Sequence, residues 1–173
     1  MSRTKETVGP ICLGWWGRWI DGQDGTARAT VARLRRVASP LDAVLTPAVQ
    51  DLNHRLAGPG FDLRGRPDRL ALIVVALAAC KHSPNRSAAA QFGTPSDRPA
   101  VSPLRFNALV RETNPDRLRQ PLVRALGQIK GAVDVAVLAS DLFYWNDATR
   151  TRWAFDYYGA GDALTKPELE TPT

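Results

Sequence analysis

The sequence predicts an all-α fold, a two-lobed helical bundle of about eight helices. Apolar residues recur at helical spacing through most of the 173 residues, as in the stripe of Val31, Leu34 and Ala38. Ser102-Pro103 and Asn114-Pro115 each combine an N-cap residue with a proline at the first helical position, which is typical of helix starts. No stretch of alternating polar and apolar residues indicates a strand of any length, and no internal repeat is present.

The first predicted helix begins at Pro10 and carries three tryptophans. Trp15 and Trp19 share a helical face, whereas Trp16 points about a quarter-turn away. Two interpretations remain open at this point. Either one of these indoles meets a partner, or all three pack inside the protein.

The other helices of the first half follow from periodicity and proline positions, and they cover residues 25–38, 41–56 and 67–82, with a short helix at 87–92. Pro47 splits or kinks the second of these, because proline lacks the amide hydrogen that a helix interior needs. The helix that opens at Pro67 is apolar on nearly every side, which is typical of a central helix in a bundle.

The helices of the second half start at Ser102-Pro103, Asn114-Pro115, Asp134 and Asn146 or Asp147, and the last one stops at Gly159. Residues 93–101 are rich in Pro, Ser and Gly and form the predicted lobe boundary. The predicted division is a flexible N-terminus at 1–9, an N-terminal lobe at 10–92, a C-terminal lobe at 102–158 and a flexible tail at 159–173. We expect the two lobes to form one compact unit.

The charge balance favours a polyanionic partner. The net charge is +6, the sequence pI is about 9.9, and only four of the 23 basic residues are lysine. Guanidinium groups suit bidentate contacts with phosphate and stacking on bases. A GC-rich coding sequence would also enrich arginine, so the composition carries modest weight by itself.

The sequence contains no catalytic or metal-binding constellation, and we expect neither an enzyme nor a cofactor. The HExxH, CxxC, GxSxG and P-loop motifs are absent, and the two histidines and two cysteines show no ligand spacing. Asp51 and His54 lie one helical turn apart and have the chemistry for acid–base work. Without a third partner, a histidine at the surface or the core edge is the interpretation that we favour.

The cysteine usage and hydropathy favour a cytoplasmic protein with no membrane partner. Cys12 and Cys80 lie on separate apolar stretches and are expected to be buried thiols rather than a disulfide. The first ten residues lack the apolar core of a signal peptide. The longest apolar run, Leu70–Cys80, is too short to span a bilayer.

The candidate nucleic-acid-binding residues are basic side chains on predicted helices, namely Arg18, Arg28, Arg35, Arg105, Arg119, Lys130, Arg150 and Arg152. Each alone is ordinarily a solvated charge, so the prediction requires that several share one face and neutralise phosphates together. The sequence shows neither a helix-turn-helix with a clear recognition helix nor an aromatic RNP-type strand. Recognition of shape and backbone is therefore favoured over recognition of bases.

The segment Arg150-Thr151-Arg152-Trp153-Ala154-Phe155-Asp156-Tyr157-Tyr158 resembles the carboxy-terminal signature of the small subunit of the type I-E CRISPR surveillance complex, Cascade (the CasB family). Three earlier segments resemble other elements of that family in the same order, namely Trp15-Trp16, Val101–Phe106 and Ala139–Trp145. The aromatic residues of the signature are expected in the core, with Trp153 and Tyr157 one turn apart. Arg152 is expected to pair with Asp156.

The resemblance implies a non-catalytic subunit with an all-α fold of two helical lobes. It also implies head-to-tail association of copies, and as partners the backbone Cas proteins, the large subunit, crRNA and target DNA with its paired and displaced strands. The implied role is to stabilise the R-loop through basic residues, of which Arg105, Arg150 and Arg152 are the foremost candidates. Two alternatives stay open: a stand-alone helical DNA-binding regulator, and a protein-interaction adaptor whose arginines are compositional.

Overall fold

The computed structural model describes residues 7–93 and 98–159, and within them the chain forms ten helices and two strands of two residues each. The helices are α1 (Val8–Trp19), α2 (Gly25–Arg35), α3 (Pro40–Val44), α4 (Pro47–Ala57), α5 (Pro67–Ala78), α6 (Ala88–Phe92), α7 (Pro103–Arg111), α8 (Pro115–Gln128), α9 (Val135–Phe143) and α10 (Asp147–Tyr157). The strands are β1 (Lys81–His82) and β2 (Ala132–Val133). The predicted all-α class is confirmed. Of the segments predicted to be flexible, 1–9 and 159–173, residues 1–6 and 160–173 lie outside the described residues. Val8 and Gly9 are instead buried in the first turn of α1.

The helix starts predicted for the second half of the chain are confirmed by their capping hydrogen bonds. The Ser102 hydroxyl accepts from the Arg105 amide at 3.3 Å, and the Asn114 side chain accepts from the Asp116 amide at 2.9 Å. Asp134 caps α9, and Asn146 rather than Asp147 caps α10. Each cap satisfies an amide that the first helical turn leaves without an intrahelical partner.

Several predicted helices have different bounds in the structure. The first begins at Val8 rather than at Pro10, and the helix predicted at 25–38 ends at Arg35. The predicted helix at residues 41–56 is two helices, because the chain leaves helical geometry at Thr46 and Pro47 starts α4. The predicted helix at 67–82 ends at Ala78, and Lys81–His82 instead pairs in parallel with Ala132–Val133. The Lys81 amide donates to the Gly131 carbonyl at 2.8 Å, so a non-local strand pair replaces the last helical turn.

The core is built around α5, in which every residue from Arg69 to Ala78 is buried. Helix α5 packs against α8, α3 and α9, and α1 packs against α9. The two halves of the chain therefore share their packing, and the buried side chains from both belong to one cluster. The lobe boundary at residues 93–101 stays a prediction, and its residues 94–97 lie outside the described part.

The three tryptophans of α1 all find partners inside the protein. The Trp15 indole N–H donates to the Ala48 carbonyl at 2.7 Å, and the Trp16 indole N–H donates to the Cys80 carbonyl at 3.3 Å. The Trp19 indole N–H donates to Asp51 Oδ2 at 2.8 Å. Of the two interpretations of this cluster, internal packing is the one that the structure shows.

The cysteines are buried and unpaired, as expected. Burial raises the pKa of each thiol, of Cys12 and of Cys80, to about 12. No helix within residues 7–93 and 98–159 combines the length and the apolar composition that crossing a membrane requires.

Replacing Gly131 with alanine tests the turn that ends α8. Gly131 has a φ of +68°, and a Cβ there would lie 2.2 Å from the Ala79 carbonyl oxygen. We expect Gly131→Ala to lower the free energy of unfolding by about 2 kcal/mol or more, because both the backbone and the carbonyl contact would be strained. Gly127→Ala is the matched control, since a Cβ at Gly127 meets nothing within 4 Å. In urea titrations the control should match or exceed the wild type, and equal losses in both variants would contradict the assignment.

Candidate nucleic-acid interface

Helices α7 and α8 border a groove of about 410 Å³ with an apolar floor and a basic rim. Val101, Leu109 and Ala125 are buried residues of its lining. Arg105, from α7, and two further arginines from α8 complete the rim, and Glu112 contributes a carboxylate. The groove therefore combines an apolar surface with several cations at its edge.

The amphipathic pattern of α8 places two of these arginines. Leu118 and Leu122 are fully buried, whereas Arg117 and Arg124 are exposed on the opposite side. Arg117 and Arg124 are seven residues apart, which is close to two full helical turns, so both side chains project from one face. Within the described residues neither arginine forms an ion pair, and the same holds for Arg105. All three arginines thus line the groove and form no ion pair with a described carboxylate.

A second basic surface lies on α2 and its C-cap residue. It consists of the exposed residues Arg28, Arg33, Arg35 and Arg36. Arg33 donates to the Leu45 carbonyl at 3.0 Å, and the described residues provide no ion pair for any of the four. The end of α2 is tied to α8, because Arg119 donates to the Ala38 carbonyl at 3.0 Å.

The structure separates the residues predicted for nucleic-acid binding. Arg28 and Arg35 lie exposed on α2, and Lys130 is exposed in the turn after α8 with a φ of 56°. Arg18 is exposed at the end of α1, where its guanidinium carbon lies 5.3 Å from the centre of the Trp19 ring. Of the eight predicted residues, Arg105 is the one that lines the α7–α8 groove.

Arg119 is a structural residue in this fold. It is only 4% exposed, and its guanidinium is held between the Ala38 carbonyl and Asp116, 2.6 Å from the Asp116 carboxylate. A side chain enclosed in this way does not present its charge to solvent. We therefore leave Arg119 out of the site proposed below.

The sequence-based prediction omits Arg117 and Arg124, the two α8 residues that share the groove with Arg105. A signal for them does exist in the sequence, since both lie opposite the leucine stripe of a helix with a strongly apolar inner face. The sequence does not show which helix lies beside the outer face of α8. The packing of α7 next to α8 brings Arg105 to the same groove as Arg117 and Arg124.

The aromatic residues of the 150–158 segment have two different environments. Trp153 and Tyr157 are buried, and the Tyr157 ring stacks on Phe106 with 3.9 Å between ring centres and 5° between planes. Phe155 is 62% exposed and Tyr158 is 53% exposed. The expectation that these aromatic side chains lie in the core is therefore correct for the first pair and wrong for the second.

The arginines of the same segment have partners within the protein. Arg152 pairs with Asp141 on α9, and the predicted pairing with Asp156 is wrong because Asp156 accepts from Ser87 instead, at 3.4 Å. Arg150 pairs with Asp147 and donates to the Val110 carbonyl at 3.3 Å. Arg150 is mostly buried, with a side chain 20% exposed, whereas the Arg152 side chain is 51% exposed.

Acid–base chemistry at Asp51 and His54 has no support in the geometry. The Asp51 carboxylate accepts from the Trp19 indole and pairs with Arg55 at 3.0 Å, while His54 is exposed. In the part of the chain that the structure describes, no three or more His, Cys, Asp and Glu side chains come together in a way that could hold a metal ion.

The fold and the groove define the class: this is a small helical protein with an arginine-lined groove between two amphipathic helices, α7 and α8. The chain belongs to the family of the CRISPR-associated protein Cse2, whose family model matches residues 30–158. A curated relative, the CRISPR-associated protein Cse2 of Thermus thermophilus, is 30% identical over 161 residues, which cover 90% of this chain and 93% of the relative. The resemblance seen in residues 150–158 is thus confirmed.

Solved structures share the fold. The crystal structure of CasB from Thermus thermophilus has a TM-score of 0.68 at 23% identity and covers 89% of this chain and 99% of its own. A chain in the crystal structure of E. coli Cascade bound to a PAM-containing dsDNA target has a TM-score of 0.63 at 21% identity, and the match covers 91% of this chain and 97% of that one. The likeness to these structures extends over nearly the whole of each chain.

Substitutions at Asp141 and Arg152 test how the 150–158 segment is held. Asp141 accepts from the Trp153 indole at 2.8 Å and also pairs with Arg152. We expect Asp141→Ala to cost about 1–3 kcal/mol, because it leaves a buried indole N–H without an acceptor. Arg152→Ala should cost less than about 1 kcal/mol, since that half-exposed ion pair is solvated.

Thermal and urea unfolding of both variants would measure the difference. Asp141→Asn is the control, because the amide oxygen can still accept from the indole while the ion pair is lost. Equal costs for Asp141→Ala and Arg152→Ala would contradict the view that the indole contact dominates.

Proposed function

We propose that this chain is the non-catalytic small subunit of a cytoplasmic, Cascade-type CRISPR surveillance complex, in which it binds the nucleic-acid backbone and stabilises the R-loop. The observation that carries the proposal is the convergence of Arg105, Arg117 and Arg124 on the α7–α8 groove. Family membership supports the assignment to such a complex. So does the shared fold with a chain of E. coli Cascade bound to a dsDNA target.

The physical basis of binding is phosphate neutralisation. Each guanidinium can donate two parallel hydrogen bonds to a phosphate, and every neutralised phosphate releases condensed counterions. An R-loop exchanges one duplex for another of similar stability, so a few backbone contacts are enough to shift its equilibrium. A groove with three such cations fits this task without any base-specific contact.

The α2 surface offers a second set of phosphate contacts. Arg28 and Arg35 are seven residues apart on α2, so they project from one face, as Arg117 and Arg124 do on α8. We include Arg28, Arg35 and Lys130 as secondary contacts, and we assign the primary role to the groove. The proposed partners are crRNA, the paired and displaced strands of target DNA, the backbone and large subunits, and a second copy bound head to tail.

Neutralising the groove arginines tests the proposal. We expect the triple substitution of Arg105, Arg117 and Arg124 with glutamine to weaken binding of nucleic acid by roughly ten- to a hundredfold at low salt. The slope of log affinity against log salt should fall by about 2 units, because up to three phosphate contacts are lost. Fluorescence anisotropy across a salt series measures both quantities, and glutamine keeps much of the side-chain stem.

The matched control replaces the exposed residues Arg64, Arg66 and Arg86 with glutamine, which changes the net charge by the same amount away from the groove. If both triple variants lose affinity equally, the groove is not the site. If the wild type binds no nucleic acid even at the lowest salt, the proposal falls and an adaptor role is favoured. A selection experiment that returns one defined duplex sequence would favour a stand-alone regulator instead.

A further inference from the structure

Three large apolar side chains are exposed at the junction of α7 and α10. Leu104 is 82% exposed, Phe155 is 62% exposed and Tyr158 is 53% exposed. Isolated apolar side chains on a surface are ordinary, whereas a cluster that includes two aromatic rings is typical of a contact site. Such a contact site requires that the three side chains be neighbours.

Helical spacing places Phe155 beside Tyr158, and a hydrogen bond places Tyr158 against the face of α7 that carries Leu104. Phe155 and Tyr158 are three residues apart at the end of α10, so their side chains are neighbours on its surface. The Tyr158 hydroxyl is 3.0 Å from Asn107 Oδ1 and donates to it. Leu104 precedes Asn107 by three residues on α7 and lies on the same face. We call the surface formed by Leu104, Phe155 and Tyr158 the aromatic platform.

The Tyr158 ring is fixed in place although half of it is exposed. Its edge-to-face contacts run to Tyr157, with 4.8 Å between ring centres, and to Phe106, with 6.3 Å. Together with the hydroxyl hydrogen bond to Asn107, these contacts restrict both side-chain torsions. A ligand that stacks on this ring would therefore pay little entropy to order it.

The charges around the aromatic platform favour an anionic occupant. Arg111 follows Asn107 by one turn on α7 and is exposed, and no described carboxylate forms an ion pair with it. Arg152 precedes Phe155 by three residues and pairs with Asp141, but half of its side chain stays in solvent. The carboxylate closest in sequence, Asp156, is turned towards Ser87. Aromatic faces flanked by arginines suit single-stranded nucleic acid, whose bases stack on the rings while its phosphates meet the cations.

Helix α7 connects the aromatic platform with the groove. Arg105 lines the groove, and its neighbour Leu104 belongs to the platform, so one short helix contributes to both surfaces. A single strand that contacts Arg105 needs to cross only this helix to meet the platform. This continuity favours nucleic acid over a protein as the occupant.

We propose that the aromatic platform stacks unpaired bases of a single strand and thereby gives the protein a preference for single-stranded over duplex nucleic acid. The inference rests on the proposed function, because it requires that the groove arginines hold the same strand. A duplex keeps its base faces stacked inside, so it can use the groove but not the platform.

The test compares three ligands of equal length by fluorescence anisotropy: a single-stranded oligonucleotide, an abasic single strand and a blunt duplex. We expect the double substitution Phe155→Leu and Tyr158→Leu to weaken binding of the base-containing strand roughly tenfold. Binding of the abasic strand and of the duplex should change less than about twofold, because neither stacks on the platform.

The matched control keeps the rings. Phe155→Tyr, which leaves Tyr158 and its hydrogen bond to Asn107 in place, should bind all three ligands as the wild type does. Circular dichroism should show that this control and the double leucine variant are folded. As a direct measurement, an oligonucleotide that carries 5-iodouracil should form photo-crosslinks at Phe155 or Tyr158, identified by mass spectrometry of the digested protein.

The binding measurements distinguish the outcomes that would contradict the proposal. Unchanged binding of the base-containing strand by the leucine variant, or equal losses on the abasic strand and the duplex, would overturn the platform. So would a leucine variant that binds normally but loses self-association in sedimentation, since the surface would then be a protein interface. Loss of binding in the groove variant alone would leave the proposed function standing without the platform. Loss in the leucine variant alone would overturn the groove as the site that holds the strand, and with it the shared path on which the platform depends.

Discussion

The complete burial of α5 is the constraint on which the rest of the structure depends. A helix without a polar face must be covered on all sides, and each square ångström of apolar surface removed from water contributes about 25 cal/mol. Helices α2, α3, α4, α8 and α9 supply that cover. Burial also encloses Arg69, whose guanidinium donates to the Leu142 carbonyl at 2.8 Å. Burial lowers the pKa of Arg69, but the group stays charged and complements the negative end of α9.

The basic groove is a consequence of that packing. Helix α8 lays Leu118, Leu122 and Leu126 against the core, so its polar face has to point outward with Arg117 and Arg124. The Arg119 guanidinium points the other way and joins α8 to the end of α2. One helix thus uses arginines for two purposes. Arg117 and Arg124, opposite the leucines, are exposed to a ligand. Arg119, beside the leucines, is part of the scaffold.

The 150–158 segment also combines residues that build the core with residues that are exposed to solvent. Trp153 and Tyr157 attach α10 to the core, which explains why a short polar helix with little apolar periodicity is held firmly in place. Phe155 and Tyr158 project from the same turns towards solvent. A segment that identifies a family by its sequence can therefore combine residues that build the fold with residues that are free to meet a partner.

The sequence alone determined the fold class and the capped helix starts of the second half, because a cap such as Ser102, Asn114 or Asp134 acts on amides within its own first turn. It also determined the leucine stripe of α8 and the family. The tertiary structure alone decided where α5 ends, which carboxylate Arg152 meets and which arginines share a groove. The physical reason is distance along the chain. Local hydrogen bonds are encoded within a few residues, whereas the strand pair of residues 81–82 with 132–133 and the approach of α7 to α8 form only when the whole core is packed.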